Sequence, residues 1–130
     1  MKETFYKKHL VRILRNRGAH VTLIENMVGN GCPDLHVAFQ GREFWAELKS
    51  ESSFMAKGLK IRQSQFVWMT QRKMRGLDTH ILAKNHTFYH WTFSECAFSP
   101  LNKEYVLLTS PAKKEVDNWP DHIHLVLSLK

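Results

Sequence analysis

Hydrophobic and polar positions divide the 130 residues into helical and extended segments. Over residues 3–17, Tyr6, Leu10, Ile13 and Leu14 recur at the spacing of one helical face. Lys8, Arg12 and Arg15 fall on another side, and Gly18 is placed to end the helix. HVTLIEN (20–26) alternates as a strand does, and GNG (29–31) marks a turn. DLHVAF (34–39) and EFWAELKS (43–50) flank Gln40-Gly41-Arg42, which predicts a β-hairpin. A polar, basic loop follows over 51–60. The next periodic stretch predicts a helix over about 62–75, with Phe66 and Met69 on one side and Gln65, Trp68 and Arg72 on another. THILAKN (79–85) and TFYHWTF (87–93) predict two further strands. In the tail, EYVLLTS (104–110) and HIHLVLSL (122–129) predict two more, separated by the charged PAKKEVDNWPD. The order α-β-β-β-α-β, with more β at the end, predicts an α/β domain with a mixed sheet and flanking helices.

The hairpin holds the chemistry. A period of two puts Glu47 and Lys49 on one face of their strand with Trp45, and Phe44, Ala46 and Leu48 on the other. Asp34 opens the partner strand, where the hairpin brings it towards Glu47. Two carboxylates that converge without a cation repel each other and raise one pKa. A divalent metal resolves that conflict, and carboxylate oxygens, a backbone carbonyl and water are the ligands Mg²⁺ prefers. A lysine beside such a site positions a water and balances phosphate charge.

Composition points to the partner. The chain carries 19 Lys and Arg against 12 acidic residues, a net charge of +7, which favours a polyanion. Its length suits one domain over 1–130, with a core over about 1–93 and an extension over 94–130. No apolar run approaches a membrane span, and MKETFYKKHL has no signal-peptide core, so a cytoplasmic protein is expected. Cys32 and Cys96 form no CxxC pair, which suits a reducing compartment. Neither a membrane partner nor a small-molecule cofactor is expected.

The order Gly31-Cys32-Pro33-Asp34-Leu35, then Trp45-Ala46-Glu47-Leu48-Lys49, then Ile61-Arg62-Gln63-Ser64-Gln65-Phe66-Val67-Trp68, then Gly76, resembles the PD-(D/E)xK nuclease superfamily. Within it the motifs resemble the VRR-NUC group and the related Holliday junction resolvases, small stand-alone versions of which occur in phages. The resemblance covers roughly residues 1–85. It implies a restriction-endonuclease-like fold and metal-dependent endonuclease activity on DNA, with Mg²⁺ or Mn²⁺ as the metal. It implies Asp34, Glu47 and the backbone carbonyl of Leu48 as metal ligands and Lys49 as the catalytic lysine. Gln65 would hold Lys49 or the attacking water, with Gln63 next in register. A homodimer acting on branched DNA is a further implication, and HIHLVLSL is one candidate for the dimer contact. The family's glutamate on the first helix has no acidic counterpart, because the matching place falls near Lys7. Glu3 and Glu25 are the two candidates for a third carboxylate.

Lys8, Arg12 and Arg15 on the first helix, with Lys57, Lys60 and Arg62 beside the second, are candidate phosphate contacts. The plainer reading of each is a solvated basic face. The plainer reading of the hairpin is a surface Glu–Lys pair with Asp34 as a turn residue. Zinc on His86, His90, Cys96, His122 or His124 is disfavoured, because His86 and His90 would stand roughly 13 Å apart on a strand. Two other functions stay open: a non-catalytic DNA-binding module with a nuclease fold, and a protein-interaction or inhibitor protein.

Overall fold

The computed structural model describes residues 3–24, 31–50, 58–109 and 114–130. Helix α1 (Glu3–Asn16) is followed by β1 (His20–Leu23), β2 (Leu35–Phe39) and β3 (Arg42–Ser50). Then come β4 (Lys60–Arg62), α2 (Gln63–Lys73), β5 (His80–Lys84) and β6 (Phe88–Thr92). A 3-10 turn (Phe93–Glu95), β7 (Ala97–Leu101), β8 (Glu104–Thr109), β9 (Lys114–Val116) and α3 (Trp119–Leu127) complete the chain.

A six-stranded sheet has the order β1-β2-β3-β5-β6-β9, and a three-stranded sheet the order β4-β8-β7. β3 and β5 run parallel, while the other neighbours in the large sheet pair antiparallel. The sheet is therefore mixed, and the parallel step from β3 to β5 passes through α2. The β2–β3 turn is made by Gln40 (φ 51°) and Gly41 (φ 77°). Two successive positive φ angles match the right-handed strand twist, so this short turn holds one register. That register pairs Leu35 with Ala46 and His36 with Trp45.

Each face of the large sheet is covered. On one side Leu35, Val37, Phe44, Ala46 and Leu48 pack with Tyr6, Leu10 and Leu14 of α1 and with Ile123 and Val126 of α3. On the other, Ile81, Ala83, Tyr89 and Trp91 pack with Ile61, Met69, Phe93 and Leu107, which come from β4, α2, the 3-10 turn and β8. Glu47 and Lys49 stand in register with Ile81 and Ala83 and share their face.

The tail corrects one expectation. HIHLVLSL is not a strand: residues 119–127 form α3. Asn118 caps it, its side chain accepting from the Asp121 amide at 2.9 Å, and Pro120 stands in the first turn. This start signal outweighs the apparent alternation. His122, Ile123 and Val126 are buried at helical spacing, so these residues face the core. β7 and β9 lie in stretches that predicted no strand. Gly18, with φ 94°, stands just beyond α1 in the conformation that ends helices.

Three histidines are buried between the sheet, α1 and α3. The Tyr6 hydroxyl and His122 Nε2 are 2.9 Å apart, and His80 Nδ1 and His90 Nε2 also 2.9 Å. His80 Nε2 lies 3.0 Å from the Lys130 backbone oxygen. Burial, more than any neighbouring charge, lowers all three pKa values, to about 3 for His122 and about 4 for His90. In the unfolded chain these rings take protons near pH 6.5. The stability these three rings contribute is therefore full above pH 6.5 and is lost as pH falls from there towards 4. Urea unfolding from pH 8 to pH 4.5 will show that loss. His122→Leu will make the dependence shallower, and an unchanged slope would contradict the assignment.

Candidate active site

Asp34 lies just before β2, and continuing the hairpin register by one pair sets it across from Glu47. Asp34 Oδ2 accepts from the Leu48 amide at 2.8 Å. A strand residue turns its N–H and C=O to the same edge, so the Leu48 carbonyl also faces the Asp34 side. Asp34 Oδ1 accepts from Lys7 Nζ at 3.0 Å. The Ile24 amide donates to the Asp34 backbone carbonyl at 2.8 Å, which ties this point to the end of β1.

Glu47 is 2% exposed. Its Oε2 accepts from Gln65 Nε2 at 2.7 Å and lies 3.4 Å from Lys49 Nζ. Its Oε1 is buried with no hydrogen-bond partner among the described residues. Burial pushes the Glu47 carboxyl up to about 8, the Asp34 charge adds to the rise, and Lys49 opposes it. Gln65 has two duties. Its Oε1 accepts from the Arg62 amide at 2.9 Å, closing the first turn of α2, while its amide nitrogen holds Glu47.

The loop carrying Asp34 presses against that first turn. Gly31 has φ +72°, and a Cβ there would come within 2.0 Å of the Ser64 carbonyl oxygen. Glycine is required twice over, by the backbone angle and by the close approach. Cys32 lies in the same loop, half-buried. Burial raises its thiol pKa, the Arg72 charge lowers it, and Glu47 and Asp34 raise it. Arg72 stands 5.1 Å from the Trp68 ring centre, and Trp68 meets Trp45 edge-on at 5.4 Å.

The structure thus brings Asp34, Glu47, Leu48, Lys49 and Gln65 to one point. Gln63 starts α2, where its backbone amide donates to the Lys103 carbonyl at 3.3 Å. Lys8, Arg12 and Arg15 line a groove of about 300 Å³ with Val11, Asn16 and Leu23. Leu23 pairs with Leu35, the residue after Asp34. Arg15 also donates to the Val21 carbonyl, and Arg12 meets His9. Lys60 and Arg62 are exposed on β4, away from that groove. Glu25, Lys57 and the side chain of Glu3 lie outside the described residues. Sequence reasoning missed Lys7 as a member of the site. The nuclease resemblance implies an acid at its place, and the signal in the sequence is a cation one residue after a core position of α1.

The donor set suits a divalent cation. Two carboxylates and a carbonyl converge, and one buried oxygen of Glu47 lacks a hydrogen-bond donor among the described residues. Among the described residues no group of three or more His, Cys, Asp or Glu side chains is placed to hold a metal. The remaining ligands would be the Leu48 carbonyl and water, as magnesium commonly takes.

No family model matches the chain, and no curated protein matches it. Among solved structures the chain is similar to Hjc, a Holliday junction resolvase from the archaeal hyperthermophile Archaeoglobus fulgidus. The TM-score is 0.56 at 13% identity, over 97% of this chain and 89% of that one. The likeness establishes the fold: a restriction-endonuclease-like α/β core, with a central mixed sheet flanked by helices.

Gly31→Ala tests how tightly the loop must fit. We expect a loss of about 2 kcal/mol in urea unfolding, because α2 and the loop must separate. An unchanged midpoint would show that the close approach carries no energy.

Proposed function

We propose that the chain is a metal-dependent endonuclease that hydrolyses phosphodiester bonds in DNA, with branched DNA as its preferred substrate. The observation that carries this reading is the convergence of Asp34, Glu47, Lys49 and Gln65 between the β2–β3 hairpin and the first turn of α2. A purely structural hairpin gains nothing from burying a carboxylate beside another carboxylate. The narrower kinship with the VRR-NUC group rests on the motifs around Asp34, Glu47 and Gln65. The preference for branched DNA and a homodimeric assembly rest on that resemblance and on the shared fold with a resolvase.

The chain's own residues divide the work. Asp34, Glu47 and the Leu48 carbonyl would hold Mg²⁺ or Mn²⁺. When bound, the cation neutralises the carboxylates and stabilises charge on the reacting phosphate. Gln65 fixes the rotamer of Glu47 through its 2.7 Å hydrogen bond. Lys49 reaches Glu47 from the more open side; its side chain is 16% exposed. From there its ammonium orients a water for in-line attack and offsets charge on the phosphorane-like transition state. Lys8, Arg12 and Arg15 would take backbone phosphates along the groove they line between α1 and β1, positioning the duplex without reading its sequence. Lys60 and Arg62, exposed on β4 at the start of α2, would take phosphates on the other flank.

The test is a cleavage panel: supercoiled plasmid, linear duplex and a four-way junction, each with Mg²⁺, Mn²⁺ or EDTA. We expect metal-dependent cutting, fastest on the junction. Lys49→Ala should slow it by at least about 100-fold while DNA binding persists. A variant that cuts as fast as the parent would refute the role of Lys49. Binding without cutting under every condition would favour a non-catalytic DNA-binding module.

A further inference from the structure

We propose that Lys7 is a counter-cation built into the carboxylate pair, and that a divalent metal must displace its ammonium from Asp34 in order to bind. The proposal rests on the reading of Asp34 and Glu47 as metal ligands. Both oxygens of Asp34 are engaged. Oδ2 takes the Leu48 amide, a donor fixed in the frame of β3, and Oδ1 takes Lys7 Nζ at 3.0 Å. Of these two donors the ammonium is the one a cation can displace, because the amide is fixed in β3. Lys49 stands beside Glu47 in the same way, at 3.4 Å. An ammonium group therefore stands beside each of the two carboxyl groups.

The ammonium can leave only by a side-chain movement, because the backbone of α1 is anchored. Tyr6, the preceding residue, is fully buried, and its hydroxyl meets His122 of α3. The lysine side chain is 23% exposed, and its ammonium sits on a flexible four-carbon stem. Displacement leaves the ammonium close to the metal, where the two charges repel. Lys7 thus sets the metal affinity of the site below what its ligands alone would give. A lysine that merely ties α1 to the hairpin would act in the opposite sense, since its loss would loosen Asp34 and weaken metal binding.

The experiment is a Mn²⁺ titration followed by electron paramagnetic resonance, at fixed ionic strength and without DNA. It compares the parent chain with Lys7→Met, Lys7→Arg and Glu47→Gln. Lys7→Met keeps most of the stem and removes the charge, and should tighten Mn²⁺ binding roughly tenfold. Lys7→Arg keeps the charge and should stay within about twofold of the parent. If Lys7→Met fails to fold, Lys7→Gln gives the same comparison. Affinity that is unchanged or weaker in the uncharged variants, while Glu47→Gln still abolishes binding, overturns the role of Lys7 alone. Binding that is absent, or indifferent to Glu47→Gln, overturns the metal site and this proposal with it.

Discussion

The structure depends on holding two carboxyl groups close together, one of them almost wholly out of water. Asp34 and Glu47 face each other across the β2–β3 hairpin, and Glu47 is almost wholly enclosed. Left alone, such a pair would protonate or splay apart. Here a set of fixed donors prevents the splaying: the Leu48 amide on Asp34, the Gln65 amide on Glu47, and one lysine ammonium at each carboxylate. The cost of keeping negative charge in this place is the physical reason to expect a cation there, and it ties the fold to the proposed chemistry.

Every major element serves that arrangement. The two-residue turn at Gln40 and Gly41 sets the register that opposes the acids. Leu48, Ala46 and Phe44 bury the back of β3 against α1 and α3, which makes the strand a rigid mount. α2 begins where Gln65 can reach Glu47, and Gly31 lets the Asp34 loop lie directly on its first turn. Residues of the C-terminal segment complete both cores, with α3 behind the sheet and Leu107 in front.

Much of this was legible in the sequence, where local pattern and tertiary role agree. α1, the hairpin, α2, β5 and β6 lie within a few residues of where periodicity sets them, and period two alone puts Glu47 and Lys49 on one face. The gaps have physical causes. HIHLVLSL alternates like a strand, and its helical character shows only in the Asn118 cap and Pro120. Short pairings such as β9 carry too few residues for a pattern to emerge. The place of Lys7 was found, but its partner is a tertiary contact with Asp34, 27 residues away, that no local rule supplies. The hydrogen bond from Tyr6 to His122 spans 116 residues and was invisible for the same reason.

The charge state of Glu47 is the most direct probe of the central claim. A carbon-13 NMR titration can follow the Glu47 carboxyl from pH 4 to pH 10, with and without Mg²⁺. The account predicts a midpoint raised well above the ordinary carboxylate range in EDTA, set first by burial and then by Asp34, and a large fall on adding Mg²⁺, which favours the ionised form. A midpoint in the ordinary carboxylate range, or a raised one that Mg²⁺ leaves in place, would contradict it.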